Sequence, residues 1–285
     1  MPLDYDMLMA LPPWEVRHAY TKRDTILYAL GVGAAIEHPA DRDELRHVYE
    51  KDLEALPTMA VVLAYPGFWQ KEPQYKLDWT RIVHGEQAVE IHNPIPCEGE
   101  VRSVVSIDEI FDKGEERGAL LYWRRELYDV PTGGHIVTIR QGSFLRGDGG
   151  FGGASEGAPV PAKLPERQPD CSIALPTRPD QALIYRLSGD YNPLHVDPDV
   201  ARAAGFERPL LHGLCTFGVL GRALLKAVGV QASDLARIEG RFSSPVYPGE
   251  TIRGDFWVEG KTVRFRGVVT ERDKVVFNNG LAGLR

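Results

Sequence analysis

The chain has 285 residues, a length that suits two domains or one duplicated fold. Its formal net charge is −7, so it lacks the basic excess by which most nucleic-acid-binding proteins neutralise phosphates, and we expect no nucleic-acid partner. No apolar stretch reaches the roughly 18 residues that a membrane span needs, and we expect no membrane partner.

The sequence also carries information about compartment and metal content. Its three cysteines are far apart and match no zinc-ligand spacing, which is typical of reduced thiols in an intracellular protein. The N-terminus is too broken for a signal peptide, and the C-terminal Gly-Leu-Arg is not a peroxisomal address of the Ser-Lys-Leu type. We therefore expect a cytoplasmic protein without a bound metal.

The first half, residues 1–145, begins with helical sequence and continues with three alternating segments that predict antiparallel strands, 101–107, 119–129 and 135–144. Its central helix is expected in LPTMAVVLAYPG, but Pro66 and Gly67 break this helix after about two turns. A short helix leaves core space beside the sheet. Either this space forms an apolar pocket, or Phe68, Trp69 or a loop fills it.

Residues 146–168 are rich in glycine at first and in proline later, with almost no apolar periodicity. This composition is typical of a linker that is flexible and then stiffer. We therefore divide the chain into an N-terminal repeat (1–145), a linker (146–168) and a C-terminal repeat (169–285).

The second half repeats anchors of the first in the same order, which indicates a duplication. ILYALGVG corresponds to LIYRLSGD, and IHNPIPCEGE corresponds to FSSPVYPGE. A long helix is predicted over 211–228, stopped by Gly229, with Gly218 and Gly221 letting it lie close to the sheet. Strands are predicted over 251–258, 262–270 and 274–278.

The string YRLSGDYNPLHVDP, residues 185–198, places Asp190 and His195 on a turn rich in glycine, asparagine and proline. A carboxylate and an imidazole form a general acid–base pair that works near neutral pH. Asn192 adds an amide that can orient either side chain. Asp197 and Pro198 then predict the start of a short helix that ends at Gly205.

The following string, RPLLHGLCTFG, predicts the start of the long helix. The first N–H groups of a helix have no partner within it and carry a partial positive charge. Gly213 has no side chain to block a ligand, so its N–H could bind a thioester oxygen that gains negative charge. The same stretch of chain would then supply an acid, a base and an oxyanion donor.

These two strings together closely resemble the signature of the hydratase 2 and MaoC-like dehydratase family, and the resemblance covers the whole chain. It implies an α+β double hot-dog fold, in which each repeat wraps an antiparallel sheet around a central helix. It also implies that the first repeat has lost its catalytic residues and shapes the acyl pocket, with Gly33 opposite Asp190.

The family adds water reversibly to trans-2-enoyl-CoA and gives (R)-3-hydroxyacyl-CoA. The resemblance therefore implies an acyl-CoA substrate and no cofactor, with Asp190 and His195 activating water, Asn192 supporting them and Gly213 as the oxyanion donor. Arg264 and Arg266 share one face of a strand and are candidates for binding the CoA phosphates. A solvated face is the alternative.

Four further residues have structural interpretations. His212 is expected to form a hydrogen bond near the helix start, and Cys215 to lie in the core. His84, in the string HGEQ, is expected to be structural or to line the pocket, together with Glu86.

Two other functions remain open at this point. Hot-dog folds serve many thioesterases, so the chain could be an acyl-CoA thioesterase. It could also be a non-catalytic acyl-CoA-binding protein, although the intact pair of Asp190 and His195 argues against this. We expect a homodimer in each case.

Overall fold

The computed structural model describes residues 3–285. In this part of the chain, ten antiparallel strands form one sheet. The strands are β1 (Trp14–Tyr20), β2 (Ile82–Ile91), β3 (Gly99–Asp112), β4 (Ala119–Asp129), β5 (His135–Leu145), β6 (Cys171–Pro176), β7 (Leu235–Phe242), β8 (Thr251–Glu259), β9 (Thr262–Val269) and β10 (Lys274–Leu284).

Short helices connect the strands, and one long helix lies in the second half. The α-helices are α1 (Tyr5–Met9), α2 (Lys22–Gly31), α3 (Arg42–Leu45), α4 (Gln181–Tyr185), α5 (Pro198–Ala203) and α6 (Gly213–Val228). Single 3-10 turns occur at Pro57–Val61, Trp69–Lys71, Pro73–Tyr75, Trp79–Arg81, Arg186–Ser188, Pro193–His195, Ala232–Asp234 and Thr270–Arg272. None of these helices is long and apolar enough to cross a membrane.

The order of the strands shows the duplication directly. From one edge to the other, the sheet runs β1-β3-β4-β5-β2-β7-β10-β9-β8-β6. Each half therefore has the same order of five strands, and the two halves meet where β2 pairs with β7. This joint pairs Glu86 with Arg241 and Glu90 with Arg237, and the Glu86 carboxylate lies 3.0 Å from the Arg241 guanidinium.

Helix α6 is the core of the second half and packs against β6 and β8. It is apolar along most of its length and ends at Gly229, whose φ of 65° is the left-handed conformation expected of a helix stop. The counterpart in the first half is only the 3-10 turn Pro57–Val61. The first half therefore has a shortened helix, as predicted, but it is a single 3-10 turn that ends at Val61, before Pro66 and Gly67.

Two glycines of α6 were expected to bring it close to the sheet, but the structure shows a different neighbour. A Cβ added to Gly218 would lie 2.4 Å from Val32 and 2.9 Å from the Tyr28 hydroxyl. A Cβ on Gly221 would lie 2.7 Å from Thr58. Both glycines therefore let α6 pack against the first half of the chain, and the two repeats share one core.

A buried ion pair also ties α6 to the first half. The Arg222 guanidinium donates to both oxygens of Glu44, at 3.0 and 2.8 Å, and to the Val32 carbonyl oxygen. Only 6% and 5% of these two side chains are exposed. The Glu44 carboxylate also accepts the Ala35 N–H, so the loop after Gly33 is fixed against α6.

The linker contains no helix or strand between Leu145 and Cys171, as its composition predicts. Its glycine-rich start is nevertheless anchored, because the Asp112 carboxylate accepts the N–H groups of Gly150 and Gly152 at 2.8 and 2.7 Å. Further on, the Asn279 amide donates to the Ala162 carbonyl oxygen. The linker is thus fixed to both repeats.

Candidate active site

The loop between α4 and α5 brings Asp190 and His195 together. Gly189 adopts a φ of 113°, which a residue with a side chain rarely adopts. The Asn192 side chain accepts the Leu194 N–H and so caps the 3-10 turn that carries His195. The Asn192 N–H donates to the Asp190 carboxylate at 3.2 Å, so Asn192 orders the loop between the two candidate catalytic side chains.

His195 presents a free basic nitrogen to this loop. Its Nδ1 lies 2.9 Å from the Leu210 carbonyl oxygen, which can only accept, so Nδ1 carries the proton and Nε2 has the lone pair. Burial lowers the pKa of His195, against the opposing effect of the Asp190 carboxylate. His195 is therefore neutral and able to accept a proton near pH 7.

His212 contacts both members of the pair. Its ring stacks on His195 with 3.8 Å between centres, and its Nε2 donates to the Asp190 backbone carbonyl at 3.1 Å. Burial, and then the neighbouring His195, lower the pKa of His212 to about 3. The expected hydrogen bond near the helix start is therefore present, and His212 stays neutral.

A carboxylate oxygen of Asp190 and one nitrogen from each of His195 and His212 lie within 4.8 Å of one another. Across residues 3–285 this is the one group of three such side chains that is close enough to share a cation. However, the two imidazole rings stack face to face, with centres 3.8 Å apart and planes that differ by 28°, and one nitrogen of each ring is already bonded to a backbone carbonyl oxygen. The arrangement suits proton transfer better than metal binding.

Helix α6 begins beside this group, with Gly213 as its first residue. The Gly213 N–H donates to no other residue in the described part of the chain, and the residue is exposed. A Cβ at this position would lie 3.3 Å from the Phe242 ring. Gly213 therefore offers an open N–H at a helix start, as the sequence predicts.

The first repeat contributes two side chains near Asp190. Burial and the Asp190 carboxylate raise the pKa of Tyr65 to about 12. Burial lowers the pKa of His84 to about 4, and the Asp190 charge partly opposes this shift. The His84 ring also packs edge-on against Phe242, with 4.8 Å between centres. His84 thus lines the site, while its Nε2 is bound to the Glu86 carbonyl oxygen.

A cavity of about 360 Å³ opens beside the catalytic loop. The loop side is formed by Leu187, Ser188, Gly189 and Tyr191, and the other walls belong to the first repeat: Val16, Arg17, His18, Asp24, Leu27, Met59, Val62, Leu63, Ala64, Tyr65 and Gly67. The shortened helix therefore leaves open space, whereas Trp69 packs elsewhere, against Trp14 and Trp123.

Arg264 and Arg266 are not brought to this site. Their neighbours Val263 and Phe265 belong to the buried core, so the two arginines lie on the outer face of the sheet. Arg266 donates to the buried Asp255 carboxylate at 2.9 Å, and Arg264 lies 4.0 Å from Glu259. Their placement gives no support to a role in binding CoA phosphates.

Two residues of the site region were missed in the sequence. Tyr65 directly precedes Pro66, and the Arg125 guanidinium lies 5.2 Å from the centre of the Tyr65 ring. The available signal for Arg125 was a charge at an inward-facing position of a strand, between Trp123 and Leu127.

Comparisons with known proteins agree on one family. The model of the MFE-2 hydratase 2 N-terminal domain matches residues 18–147, and the model of the MaoC like domain matches residues 161–279. The peroxisomal enoyl-CoA hydratase 2 of Arabidopsis thaliana is 38% identical over 287 residues, which is 95% of this chain and 92% of that protein.

Solved structures agree with the fold. The MaoC-like dehydratase of Phytophthora capsici superposes with a TM-score of 0.85 at 34% identity, covering 98% of both chains. A Mycobacterium tuberculosis protein described as a double hotdog fold superposes with a TM-score of 0.59 at 14% identity, covering 98% of this chain and 97% of that one. The predicted α+β double hot-dog fold is confirmed.

Proposed function

From the premise that this chain belongs to the hydratase 2 and MaoC-like dehydratase family, we propose that it hydrates trans-2-enoyl-CoA reversibly to (R)-3-hydroxyacyl-CoA in fatty acyl metabolism. The observation that carries this proposal is that Asp190 and His195 lie close together on one loop, beside the helix start that presents the open Gly213 N–H. The reaction requires no cofactor beyond the CoA of the substrate.

The two acceptors are suited to hold one water molecule between them. The Asp190 carboxylate and the His195 Nε2 can each accept one of its hydrogens, which leaves an oxygen lone pair for the substrate β-carbon. As the C–O bond forms, one water proton passes to the pair and the double-bond electrons move toward the thioester oxygen. The pair then returns a proton to the α-carbon, and one water has been added.

The thioester oxygen gains negative charge during this step. The Gly213 N–H at the start of α6 is placed to donate to it, with the partial positive charge of the helix start adding to the stabilisation. Since Gly213 lacks a side chain and Phe242 closes the adjacent side, a planar thioester has access to this N–H.

One assay separates this function from a thioesterase and from a non-catalytic binder. The protein is mixed with a trans-2-enoyl-CoA, and loss of the enoyl absorbance is followed beside release of free thiol. We expect the enoyl absorbance to decrease without release of free thiol. Thiol release would identify a thioesterase, and an unchanged spectrum would identify a binder.

The pH dependence follows from His195. Protonation of Nε2 removes the acceptor for the water proton, so kcat/KM should fall as the pH decreases through the pKa of His195. Because burial lowers this pKa, the midpoint of the acid limb should lie below the ordinary value near 6.5. A kcat/KM profile between pH 4.5 and 8 measures it. A midpoint well above 6.5 would contradict a buried neutral His195.

The cavity beside the loop should accept the acyl chain. Each buried methylene contributes up to about 0.8 kcal/mol of transfer free energy, so kcat/KM should rise from a four-carbon to a ten-carbon substrate. Leu27→Trp would partly fill the cavity and should penalise the longer substrate more. Leu30→Trp, on the same helix but outside the cavity, is the matched control and should leave kcat/KM unchanged for both substrates. Equal penalties for both substrates in Leu27→Trp would place the acyl chain elsewhere.

We further propose repeat boundaries at 145 and 168, a homodimer and a cytoplasmic location. Analytical ultracentrifugation of the purified chain would test the dimer, and fluorescence microscopy of the tagged protein would test the location.

A further inference from the structure

Arg125 is a buried charge without a carboxylate partner. It lies on β4 in a row of inward-facing side chains, between Trp123 and Leu127, and only 2% of it is exposed. Within the described chain, no acidic oxygen lies within 4.0 Å of its guanidinium. Because a buried, unpaired charge is costly, its presence calls for a specific role.

Its hydrogen bonds show what it holds. Nη2 donates to the Val61 carbonyl oxygen at 2.7 Å and Nη1 to the Leu63 carbonyl oxygen at 2.8 Å. These two carbonyls lie where the shortened helix of the first repeat ends, so helical partners for them are absent. From its place in the core, Arg125 thus donates hydrogen bonds to the free carbonyl oxygens at the end of this helix.

Two more side chains fix the next residue. Ala64 has a φ of 44°, a left-handed conformation that is unusual for alanine. Its N–H donates to His18 Nδ1 at 3.2 Å, and its carbonyl oxygen accepts the Ser103 hydroxyl at 2.7 Å. Side chains from three strands, β1, β3 and β4, therefore form hydrogen bonds that fix the turn at 61–64.

This turn forms a wall of the cavity beside the catalytic loop. Val62, Leu63, Ala64 and Tyr65 all line that cavity, and the Tyr65 ring lies 5.2 Å from the Arg125 guanidinium. In the second repeat the corresponding space is filled by the sixteen residues of α6. The bonds from Arg125 hold the chain in the turn that leaves this space open.

We propose that Arg125 is a positioning residue that determines the acyl-chain length this protein accepts, by holding the end of the shortened helix in the turn that forms one wall of the acyl cavity. The inference rests on the proposed hydratase function. It assigns no part in the chemistry to Arg125, so a four-carbon substrate, which needs little of the cavity, should depend on it weakly.

The test compares Arg125→Met with Arg124→Met. Arg124 lies next in sequence, is 43% exposed and pairs with Asp108, so its substitution is a matched control. In Arg125→Met, the ratio of kcat/KM for a ten-carbon over a four-carbon enoyl-CoA should fall about tenfold, mainly through KM. Arg125→Lys, which keeps a donor for one carbonyl, should restore part of the ratio. Arg124→Met should leave it unchanged.

A binding measurement tests the same inference without an activity assay. Saturated decanoyl-CoA should raise the melting temperature of the native protein more than butyryl-CoA does, and Arg125→Met should remove most of this difference. If Arg125→Met does not fold, Ser103→Ala, which frees the Ala64 carbonyl, should lower the same ratio by a smaller factor.

One result would overturn the inference while the hydratase function stands. It is an unchanged ratio in Arg125→Met, or in Ser103→Ala if the first variant does not fold, whether kcat/KM stays the same or falls equally for both chain lengths. Failure of the unmodified protein to hydrate any enoyl-CoA would instead refute the proposed function.

Discussion

Asp190→Asn and His195→Gln should each lower kcat for enoyl-CoA hydration by at least about 100-fold, the usual scale of general acid–base catalysis. Asparagine keeps the shape of the aspartate and can accept the Asn192 N–H, but it cannot take a proton. Glutamine is close to histidine in size and polarity, but it has no titratable nitrogen. Substrate binding should change much less, because neither change alters the cavity or the Gly213 N–H.

Steady-state kinetics on one enoyl-CoA, with KM and kcat reported separately, measures the effect. Asp197→Asn is the matched control, since Asp197 lies on the same stretch of chain and caps α5 through the Asp199 N–H. Asparagine caps helices about as well as aspartate, so this variant should retain its activity. Near-normal turnover in either Asp190→Asn or His195→Gln would show that the chemistry takes place elsewhere.

Glu44→Gln should lower the free energy of unfolding by about 3–5 kcal/mol, the usual cost of removing one partner from a buried ion pair. The change leaves the Arg222 guanidinium buried against a neutral amide, within the contact that joins the two repeats. Asp43→Asn, on the same helix, is the control, because the Asp43 side chain is 83% exposed and its pair with Arg46 contributes little. Denaturant unfolding of the three proteins measures both changes.

The same pair gives a pH dependence with a defined sign. Burial acts to raise the pKa of Glu44, but the positive charges of Arg222 and Lys226 outweigh it and hold this pKa at about 2 in the folded chain. Its unfolded value is near 4.5. The stabilisation is therefore complete above about pH 4.5 and is lost as the pH falls toward 2. The difference between the native protein and Glu44→Gln should shrink over that range, and a constant difference would contradict the assigned pair.

The catalytic loop could be predicted from sequence because its geometry is local. Gly189, Asn192 and Pro193 define the turn within a few residues, and Gly213 is the first residue of a helix whose pattern is clear. Strand β4 was predicted with the bounds that the structure has, since its alternation is regular. The family and the fold were predicted from the same strings and are confirmed by the comparisons, and the proposed hydratase activity rests on the same strings.

The contacts between the repeats could not be predicted, because they join residues far apart in sequence. The pairing of β2 with β7, the Glu44–Arg222 pair and the contact of Gly218 with Val32 each depend on how two halves pack. The two-residue spacing of Arg264 and Arg266 correctly placed them on one face of a strand. It could not show that this face is turned away from the site.

The configuration of the product tests the central claim most directly. The purified chain is mixed with a trans-2-enoyl-CoA, and the 3-hydroxyacyl product is separated by chiral chromatography after hydrolysis of the thioester. One water held between Asp190 and His195, on a single side of the substrate, should give the (R) isomer alone. An (S) product, a racemic mixture or no hydroxyacyl product would contradict the account.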